Sequence, residues 1–210
     1  MSNKEDKQFK LMELIEKDLI KDPFQQFDAW YMEASKSDFP FPNSFILSTS
    51  DSEGYISSRV LLLKEFNSNG FKFYTNENSR KGKDLVVNKN ASICFWWDRL
   101  ERQVRIDGFV SVLSKVETDQ YFSSRPRASQ LGAWASDQSA KITDRSVLEN
   151  NYIKYAKMYE NQDIPRPDYW KGYILSPVSF EFWQGRDNRL HDRFLYTVKN
   201  NGWEINRLAP

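Results

Sequence analysis

The central part of the chain is a series of short segments that each have the composition of a β-strand. Five segments rich in β-branched and aromatic residues follow one another: SFILSTS, YISSRVLLLKEF, FKFYTN, ASICFWW and ERQVRIDGFVSVLS. The turn signals DSEG and NSNG connect the first three at hairpin length. Strands that are joined by such short turns run antiparallel. This region therefore predicts an antiparallel sheet.

The end of the chain adds further strand segments. After IPRP, which breaks the chain, GYILSPVSFEFWQG resumes the strand pattern. The last segment, RFLYTVKNNGWEINRLAP, places Asn201-Gly202 between two alternating runs, which is the signature of a type I′ hairpin. Many short strands with few helices favour a closed or half-open antiparallel barrel. The sequence has no Gly-rich strand-to-helix turn of the GxGxxG type, which argues against a Rossmann domain.

Helical patterns are confined to a few segments. Residues 9 to 35 are predicted to be helical, with Asp22 as an N-cap and Pro23 at the first helical position after it. Two helices are predicted to interrupt the sheet, one from Ser79 to about Val87 and one from about Thr143 to Tyr159. The expected fold class is therefore mainly β with flanking helices.

The composition excludes several classes of protein. With 210 residues, of which 40% are hydrophobic and 28% charged, the chain suits one domain with a substantial core. The formal net charge of +1 argues against a nucleic-acid-binding protein. No apolar run approaches the ~20 residues that cross a bilayer, and MSNKEDKQFK lacks the apolar core of a signal peptide. Cys94 is the single cysteine and cannot form a disulfide within the chain. Together these features predict a cytoplasmic protein with no membrane partner.

Basic residues stand where a phosphate group would bind. In NENSRKGKDL, Ser79 is a predicted N-cap, and Arg80 and Lys81 follow in the first turn, where cations oppose the helix dipole. A phosphate at this helix end would accept hydrogen bonds from free backbone N–H groups and from both side chains. From this segment alone, a solvated basic turn is an equally good interpretation.

In SSRVLLLK, Arg59 and Lys64 are five residues apart on a strand and point to opposite faces. They are expected to contact two different groups, with simple solvent exposure of Lys64 as the alternative.

The densest polar segment is YFSSRPRASQLGAWASDQS. It mixes hydroxyl and guanidinium donors, which bind phosphate monoesters, with apolar residues that indicate partial burial. Its polar residues are Tyr121, Arg125, Arg127, Ser129, Gln138 and Ser139. A polar surface loop is the alternative interpretation. In LERQVRI, Gln103 places an amide inside an otherwise apolar-alternating strand, where the edge of a heteroaromatic ligand would satisfy its hydrogen bonds.

The stretch QGRDNRLHDRF contains the only histidine of the chain, His191. If this stretch runs as a strand, Arg189, His191 and Arg193 lie on one face. Such a row of cations requires an anionic or electron-rich partner, and a solvated strand with neighbouring aspartates as counter-charges is the alternative. We expect Trp183, just before this stretch, to lie against a planar ligand.

Most of the usual catalytic motifs are missing from the sequence. One histidine and one cysteine cannot build a usual zinc site, and neither a nucleophile elbow nor a Walker loop is present. The chain has many phosphate-binding donors and few acid, base or nucleophilic groups. This pattern suits an enzyme whose cofactor performs the chemistry.

Six longer strings stand in order along the chain: SSRVLLLK, FYTNENSRKGKDL, LERQVRI, YFSSRPRASQLGAWASDQS, EFWQGRDNRLHDRF and INRLAP. Together they resemble the pyridoxine (pyridoxamine) 5′-phosphate oxidase family, from about Asp22 to Pro210. The resemblance implies FMN-dependent oxidation of both phosphates to pyridoxal 5′-phosphate, with O2 as electron acceptor and H2O2 as product. It implies a single domain over residues 1–210, with about 1–20 as an N-terminal segment. The implied fold is an antiparallel FMN-binding split β-barrel that forms a homodimer with active sites shared between subunits.

The resemblance also assigns residues to ligands. The residues implied for FMN are Arg59, Val60, Leu61, Leu62, Leu63, Lys64, Tyr74, Thr75, Arg80, Lys81, Gln103, Gln138, Ser139, Trp183 and Arg193. Those implied for the substrate are Lys64, Tyr121, Arg125, Ser129, Arg189, Leu190 and His191. Of these, Arg189 and His191 are implied to be catalytic, and no metal is implied.

The N-terminal segment departs from the family pattern. Members often carry an Arg-x-x-Tyr-like segment that can cover bound substrate, whereas this chain has DKQF, with Phe9 at the tyrosine position and no arginine. Residues 6–9 are therefore left out of the expected site.

Three alternatives to the oxidase function remain open: a split-barrel flavin reductase with a nicotinamide donor, a non-catalytic pyridoxal phosphate carrier, and a structural β-barrel. The second set of phosphate donors argues against the reductase.

Overall fold

The computed structural model describes residues 13–200 and 202–210. Within these residues the chain forms five α-helices and nine β-strands. The helices are α1 (Pro23–Lys36), α2 (Arg80–Val87), α3 (Lys115–Ser124), α4 (Arg127–Ala135) and α5 (Ser146–Met158). The strands are β1 (Ser44–Ser50), β2 (Ile56–Leu62), β3 (Glu65–Asn67), β4 (Gly70–Asn76), β5 (Asn90–Trp97), β6 (Arg102–Val112), β7 (Trp170–Gln184), β8 (Asp192–Lys199) and β9 (Gly202–Leu208).

The long strand β7 organises the sheet. The nine strands of the described chain form one antiparallel sheet in the order β2-β1-β5-β6-β7-β4-β3, with β8 paired to β7 and β9 paired to β8. One edge of β7 pairs with β6, and the other edge pairs with β4 through Trp170–Leu175 and with β8 through Ser179–Gln184. The sheet therefore divides along β7. This division gives a half-open barrel and confirms the predicted antiparallel, mainly β fold.

A β-bulge marks the middle of β7. The pairing of β6 with β7 shifts after Asp107, so that Val178 is the extra residue. Pro177 next to it has no N–H to contribute to the pairing, and a bulge is one of the few places in a sheet that accepts a proline. Gly108 permits close approach of the strands, because a Cβ at this position would lie 2.2 Å from the carbonyl oxygen of Ser176. The bulge separates the half of β7 that holds β4 from the half that holds β8.

Helix α1 covers the inner face of the sheet. Asp22 caps it by accepting a hydrogen bond from the backbone N of Phe24 at 2.9 Å, and Pro23 stands at its first position, as predicted. The ring of Phe27 is fully buried, with its centroid 4.9 Å from that of Phe71. Aromatic contacts of this kind fix α1 on the sheet. Among the described residues, no helix combines the length and apolarity needed to span a membrane.

Several local predictions differ from the structure. The predicted helix before α1 is wrong for residues 13–22, where only Glu16–Asp18 form a 3-10 turn, and residues 9–12 lie outside the described part. In the described residues four helices rather than two interrupt the sheet, because α3 and α4 form where no helix was predicted. The C-terminal hairpin is present, but Gly202 pairs with Lys199 and so belongs to the strand rather than the turn. The other two predicted helices correspond to α2 and α5 and are confirmed.

Candidate functional site

An open cavity of about 710 Å³ lies between the end of β2, β4 and the pair of helices α3 and α4. The residues predicted for FMN that line it are Val60, Leu61, Leu62, Lys64, Tyr74, Thr75 and Gln138. The residues predicted for the substrate that line it are Lys64, Tyr121, Arg125 and Ser129. The fold thus brings segments that are distant in sequence to one cavity.

The first turn of α2 borders an adjoining pocket, which Arg80 and Ser139 line and which shares Gln138 with the cavity. Ser79 caps α2 by accepting a hydrogen bond from the backbone N of Gly82. Lys81 Nζ donates to Ser79 Oγ at 3.1 Å and to Gln138 Oε1 at 3.3 Å. The backbone N of Arg80 donates to the hydroxyl of Ser139 at 3.3 Å. These contacts join residues 138–139 to a helix N-terminus that carries two cations, which is a suitable place for an anion.

Lys81 is an unusual cation because it is only 6% exposed. Burial and the nearby charge of Arg59 lower the pKa of Lys81 to about 8, although Asp84 partly offsets them. Its hydrogen-bond acceptors within the described residues, Ser79 and Gln138, are both neutral. A buried ammonium whose hydrogen-bond acceptors are neutral is stabilised when an anionic ligand binds beside it.

A buried network holds Arg59 beside α2. Its guanidinium donates to Thr49 Oγ1 at 2.7 Å and to the hydroxyl of Ser57. Asp84 accepts hydrogen bonds from Thr49 at 2.6 Å and from Ser57 at 3.1 Å, and lies 3.9 Å from Arg59. Asp84 was not predicted as a site residue. Asp84 stands three residues after Lys81, so both lie on one side of the helix. This spacing could have identified Asp84 from the sequence.

An aromatic stack forms the opposite wall of the cavity. The ring centroid of Tyr74 lies 4.0 Å from that of Tyr121 and 5.1 Å from that of Trp170, and the rings are nearly parallel. The guanidinium of Arg125 lies 4.8 Å from the centroid of Trp170. Arg125 Nη1 is buried and has no hydrogen-bond partner among the described residues. Lys64 and Arg125 line the same cavity, and burial and the charge of Arg125 lower the pKa of Lys64. A buried, unsatisfied guanidinium nitrogen next to a lysine fits a phosphate ligand.

A second group of predicted residues lies elsewhere, on the outer face of the sheet. Trp96, Gln103, Trp183 and Arg193 are consecutive partners across β5, β6, β7 and β8, and we call them the outer row. Partners in register share a face, so these four side chains stand side by side. The ring of His191 lies 4.5 Å from that of Trp183. Trp96, which is 50% exposed, was not singled out from the sequence.

The histidine stretch is not the strand that the alternation suggested. Asp187–Arg189 form a 3-10 turn and β8 begins only at Asp192, so the predicted single face of Arg189, His191 and Arg193 is wrong. Asn188 and Arg189 both have positive φ, 56° and 60°. Such conformations are unfavourable for residues other than glycine and concentrate at functional sites. The turn leaves Arg189 and Leu190 exposed.

The cavity and the outer row are separate within one protomer. Tyr74 in the cavity pairs with Gly172, near the start of β7, whereas Trp183 lies near its end. Roughly 35 Å of strand lie between Gly172 and Trp183 at the usual rise per residue. Leu63 is also not brought to the cavity, because its side chain is in the main core and its backbone bonds to Asn43.

Two family models match the chain. The model described as "Pyridoxamine 5'-phosphate oxidase" matches residues 31–158, and the model described as "Pyridoxine 5'-phosphate oxidase C-terminal dimerisation region" matches residues 170–210. The second match contains β7 and β8 with half of the outer row.

Curated relatives match over nearly the whole chain. The pyridoxine/pyridoxamine 5'-phosphate oxidase of Trichormus variabilis is 49% identical and covers 97% of this chain and 96% of its own. That of Vesicomyosocius okutanii is 48% identical, over 92% of this chain and 91% of its own.

Solved structures share the fold. PhzG from Burkholderia lata 383, in complex with tetrahydrophenazine-1-carboxylic acid, has a TM-score of 0.89 at 29% identity, over 95% of this chain and 99% of its own. A pyridoxamine 5'-phosphate oxidase-related, FMN binding protein from Nostoc punctiforme has a TM-score of 0.72 at 17% identity, over 95% and 100%. The predicted fold is confirmed by these neighbours, and the chain belongs to the pyridoxamine 5′-phosphate oxidase family.

Proposed function

We propose that the protein oxidises pyridoxamine 5′-phosphate and pyridoxine 5′-phosphate to pyridoxal 5′-phosphate with FMN as cofactor. The observation that carries this proposal is a pair of separate anion-binding groups, one lining the cavity and the other in an adjoining pocket that shares Gln138 with it. One group surrounds the first turn of α2, and the other is Lys64 with Arg125. A phosphorylated cofactor and a phosphorylated substrate require two such groups. The names of relatives with 46–49% identity support the same reaction.

The residues present fit FMN. The buried Lys81 and the capped helix start beside Ser139 suit the phosphate of a flavin nucleotide. The strand residues Val60–Leu62 and the neutral side chain of Gln138 suit the less polar remainder of the molecule. Bound FMN would supply two-electron redox chemistry, with the 4′ carbon of the substrate as electron donor and O2 as acceptor, giving H2O2.

The chain itself mainly binds and orients. Arg125 and Lys64 hold the substrate phosphate, with Tyr121 and Ser129 as hydroxyl donors from the cavity wall. Arg189 and His191 contact the substrate ring, and the outer row contacts the flavin. Holding donor and acceptor face to face replaces a bimolecular encounter. With the amine substrate the product imine is hydrolysed by water to the aldehyde and ammonia.

We also propose that the protein is cytoplasmic. Its single cysteine, Cys94, is unpaired, which agrees with a reducing compartment.

We further propose that the active site is shared within a homodimer. The cavity and the outer row lie far apart on β7, yet both are assigned to the same ligands. The outer face of the sheet also exposes apolar side chains, with Ile46 41%, Val60 65% and Trp96 50% exposed. Apolar groups on one open sheet face are typical of an interface. A two-fold arrangement would place the outer row of each protomer against the cavity of its partner.

A complementation experiment tests the shared site. Arg125→Ala alters the cavity and His191→Ala alters the turn beside the outer row. Each variant is expected to be slow alone at substrate concentrations below the wild-type KM. In a refolded or co-expressed mixture about half of the dimers are mixed, and each of these contains one site without a substitution, so about a quarter of the wild-type activity should return. If each site belongs to one protomer, no activity returns.

The low pKa of Lys81 predicts a pH dependence of FMN binding. Lys81 is charged below about pH 8 and loses its charge as the pH rises through 8. The FMN phosphate, with a second pKa of about 6, stays doubly charged over this range. The dissociation constant of FMN from the apoprotein should therefore rise above pH 8, by up to about tenfold per pH unit. Flavin fluorescence quenching measures it. The pH dependence should be absent in Lys81→Arg, whose side chain stays charged, and with riboflavin, which has no phosphate. A dissociation constant of wild type for FMN that does not change from pH 7 to 10 would contradict this prediction.

Anaerobic titration tests the reaction. The purified protein should show a flavin absorption spectrum, and pyridoxamine 5′-phosphate added without oxygen should bleach it. Bleaching by a nicotinamide donor but not by the phosphate would favour the reductase. A colourless protein that binds pyridoxal 5′-phosphate would favour the carrier.

A further inference from the structure

Glu181 is a buried carboxylate on the outer face of the sheet, next to the outer row. It is 6% exposed. Its Oε1 accepts a hydrogen bond from Arg193 Nε at 2.9 Å and lies 2.8 Å from Arg193 Nη2. Its Oε2 accepts one from Arg105 Nη1 at 3.3 Å. A carboxylate is stable at such a site only when both oxygens are paired, and here each oxygen has its own arginine.

These contacts fix the guanidinium of Arg193. Glu181 takes its Nε and Nη2 edge, and the carbonyl oxygen of Ala209 accepts from Nη1 at 2.8 Å. Arg193 is opposite Trp183 in the pairing of β7 with β8, so the held guanidinium lies beside the indole. Part of the donor set of the guanidinium remains for a ligand. Glu181 stands two residues before Trp183 on the same face, outside the assigned ligand contacts.

We propose that Glu181 is a positioning residue that orients Arg193 toward the flavin and offsets its charge there. The inference rests on the proposed FMN contact of Arg193. It has two consequences, one geometric and one electrostatic. Without Glu181, Arg193 loses a two-point contact and samples other rotamers, which weakens FMN binding. Reduction adds negative charge to a bound flavin, and Glu181 opposes this addition. Removing the carboxylate should therefore shift the midpoint potential of the bound flavin to more positive values.

A double-mutant cycle tests the geometric consequence. FMN is titrated into apoprotein, with fluorescence quenching as the readout, for wild type, Glu181→Leu, Arg193→Ala and the double variant. Glu181→Leu should weaken FMN binding by roughly tenfold or more, as expected for loss of hydrogen bonds to a charged group. In the Arg193→Ala background the same change should have little further effect, because Glu181 acts through Arg193. Equal losses in both backgrounds would overturn the proposal.

The electrostatic consequence is tested by measuring the midpoint potential of the bound flavin in a milder variant. Glu181→Gln keeps an acceptor for one arginine and removes only the charge, so it remains informative if Glu181→Leu does not fold. Its flavin potential should be more positive than that of wild type. Glu33→Gln is the matched control, because Glu33 pairs with Arg102 at 2.6 Å on the opposite, inner side of β6. It should change neither affinity nor potential.

The outcomes separate this inference from the proposed reaction. If wild type binds FMN and Glu181→Gln leaves both affinity and potential unchanged, the positioning role is wrong while the reaction stands. If wild type binds FMN but is not bleached by pyridoxamine 5′-phosphate, the proposed reaction fails, and the Glu181 comparison still decides. If wild type does not bind FMN, both fall.

Discussion

His191→Ala is expected to lower turnover about a hundredfold while FMN stays bound. His191 Nδ1 accepts a hydrogen bond from the backbone N of Arg186 at 3.1 Å. In the neutral ring the proton is then on Nε2, which is a donor. The ring is also held against Trp183. On the proposed assignment, His191 donates a hydrogen bond to the substrate rather than removing a proton from it.

The measurement is anaerobic single-turnover reduction of the flavin, followed by its absorbance. The observed rate constant at saturating substrate should fall, whereas the FMN content of the purified variant should match that of wild type. His191→Gln, which retains an N–H donor, should recover part of the rate. Val198→Ala, at an exposed position of the same strand β8, is the control and should behave as wild type. Loss of FMN together with an unchanged single-turnover rate would show that His191 serves the cofactor instead.

The sequence predicts those parts of the fold that are determined by residues close together along the chain. The Asp22 cap followed by Pro23 specifies the start of α1, and alternation specifies the strands. Helices α3 and α4 were missed because their stability depends on packing against Trp170, which lies far along the chain. The turn Asp187–Arg189 was missed for a related reason. Arginine rarely adopts a positive φ, so Arg189 gives no local signal for the turn that it forms.

The site shows the same limit. The basic residues of α2 were predictable, because cations in a first helical turn require an explanation. The acidic partners of the arginines in the sheet were not predictable, since Asp84 meets Arg59 across 25 positions of sequence and Glu181 meets Arg105 across 76. Nor does the order of residues along the chain reveal that the outer row and the cavity lie at opposite ends of β7. That separation follows only from the register of β4 and β8 on one strand.

Arg125→Ala is expected to raise the KM for pyridoxamine 5′-phosphate by about a hundredfold, with little change in the rate at saturation. The buried Nη1 of Arg125 has no partner among the described residues, so it is desolvated before the substrate arrives. A phosphate in the cavity gains charge-assisted hydrogen bonds from the rest of this guanidinium, which is already partly desolvated. Because the phosphate does not react, these bonds are equally strong in the ground state and the transition state. Such uniform binding changes KM and leaves the chemical step unaltered.

Two comparisons isolate the phosphate in this experiment. Arg127→Ala is the matched control, because Arg127 lies two residues away but donates to the backbone oxygens of Tyr159 and Gln162, outside the cavity. It should leave KM unchanged. Pyridoxamine, which has no phosphate, should be oxidised equally poorly by wild type and by Arg125→Ala, because the lost interaction is absent from both. A large difference between the two proteins with pyridoxamine would mean that Arg125 acts on the ring or the flavin. The aromatic stack that holds Arg125 would then support the reacting groups rather than the phosphate.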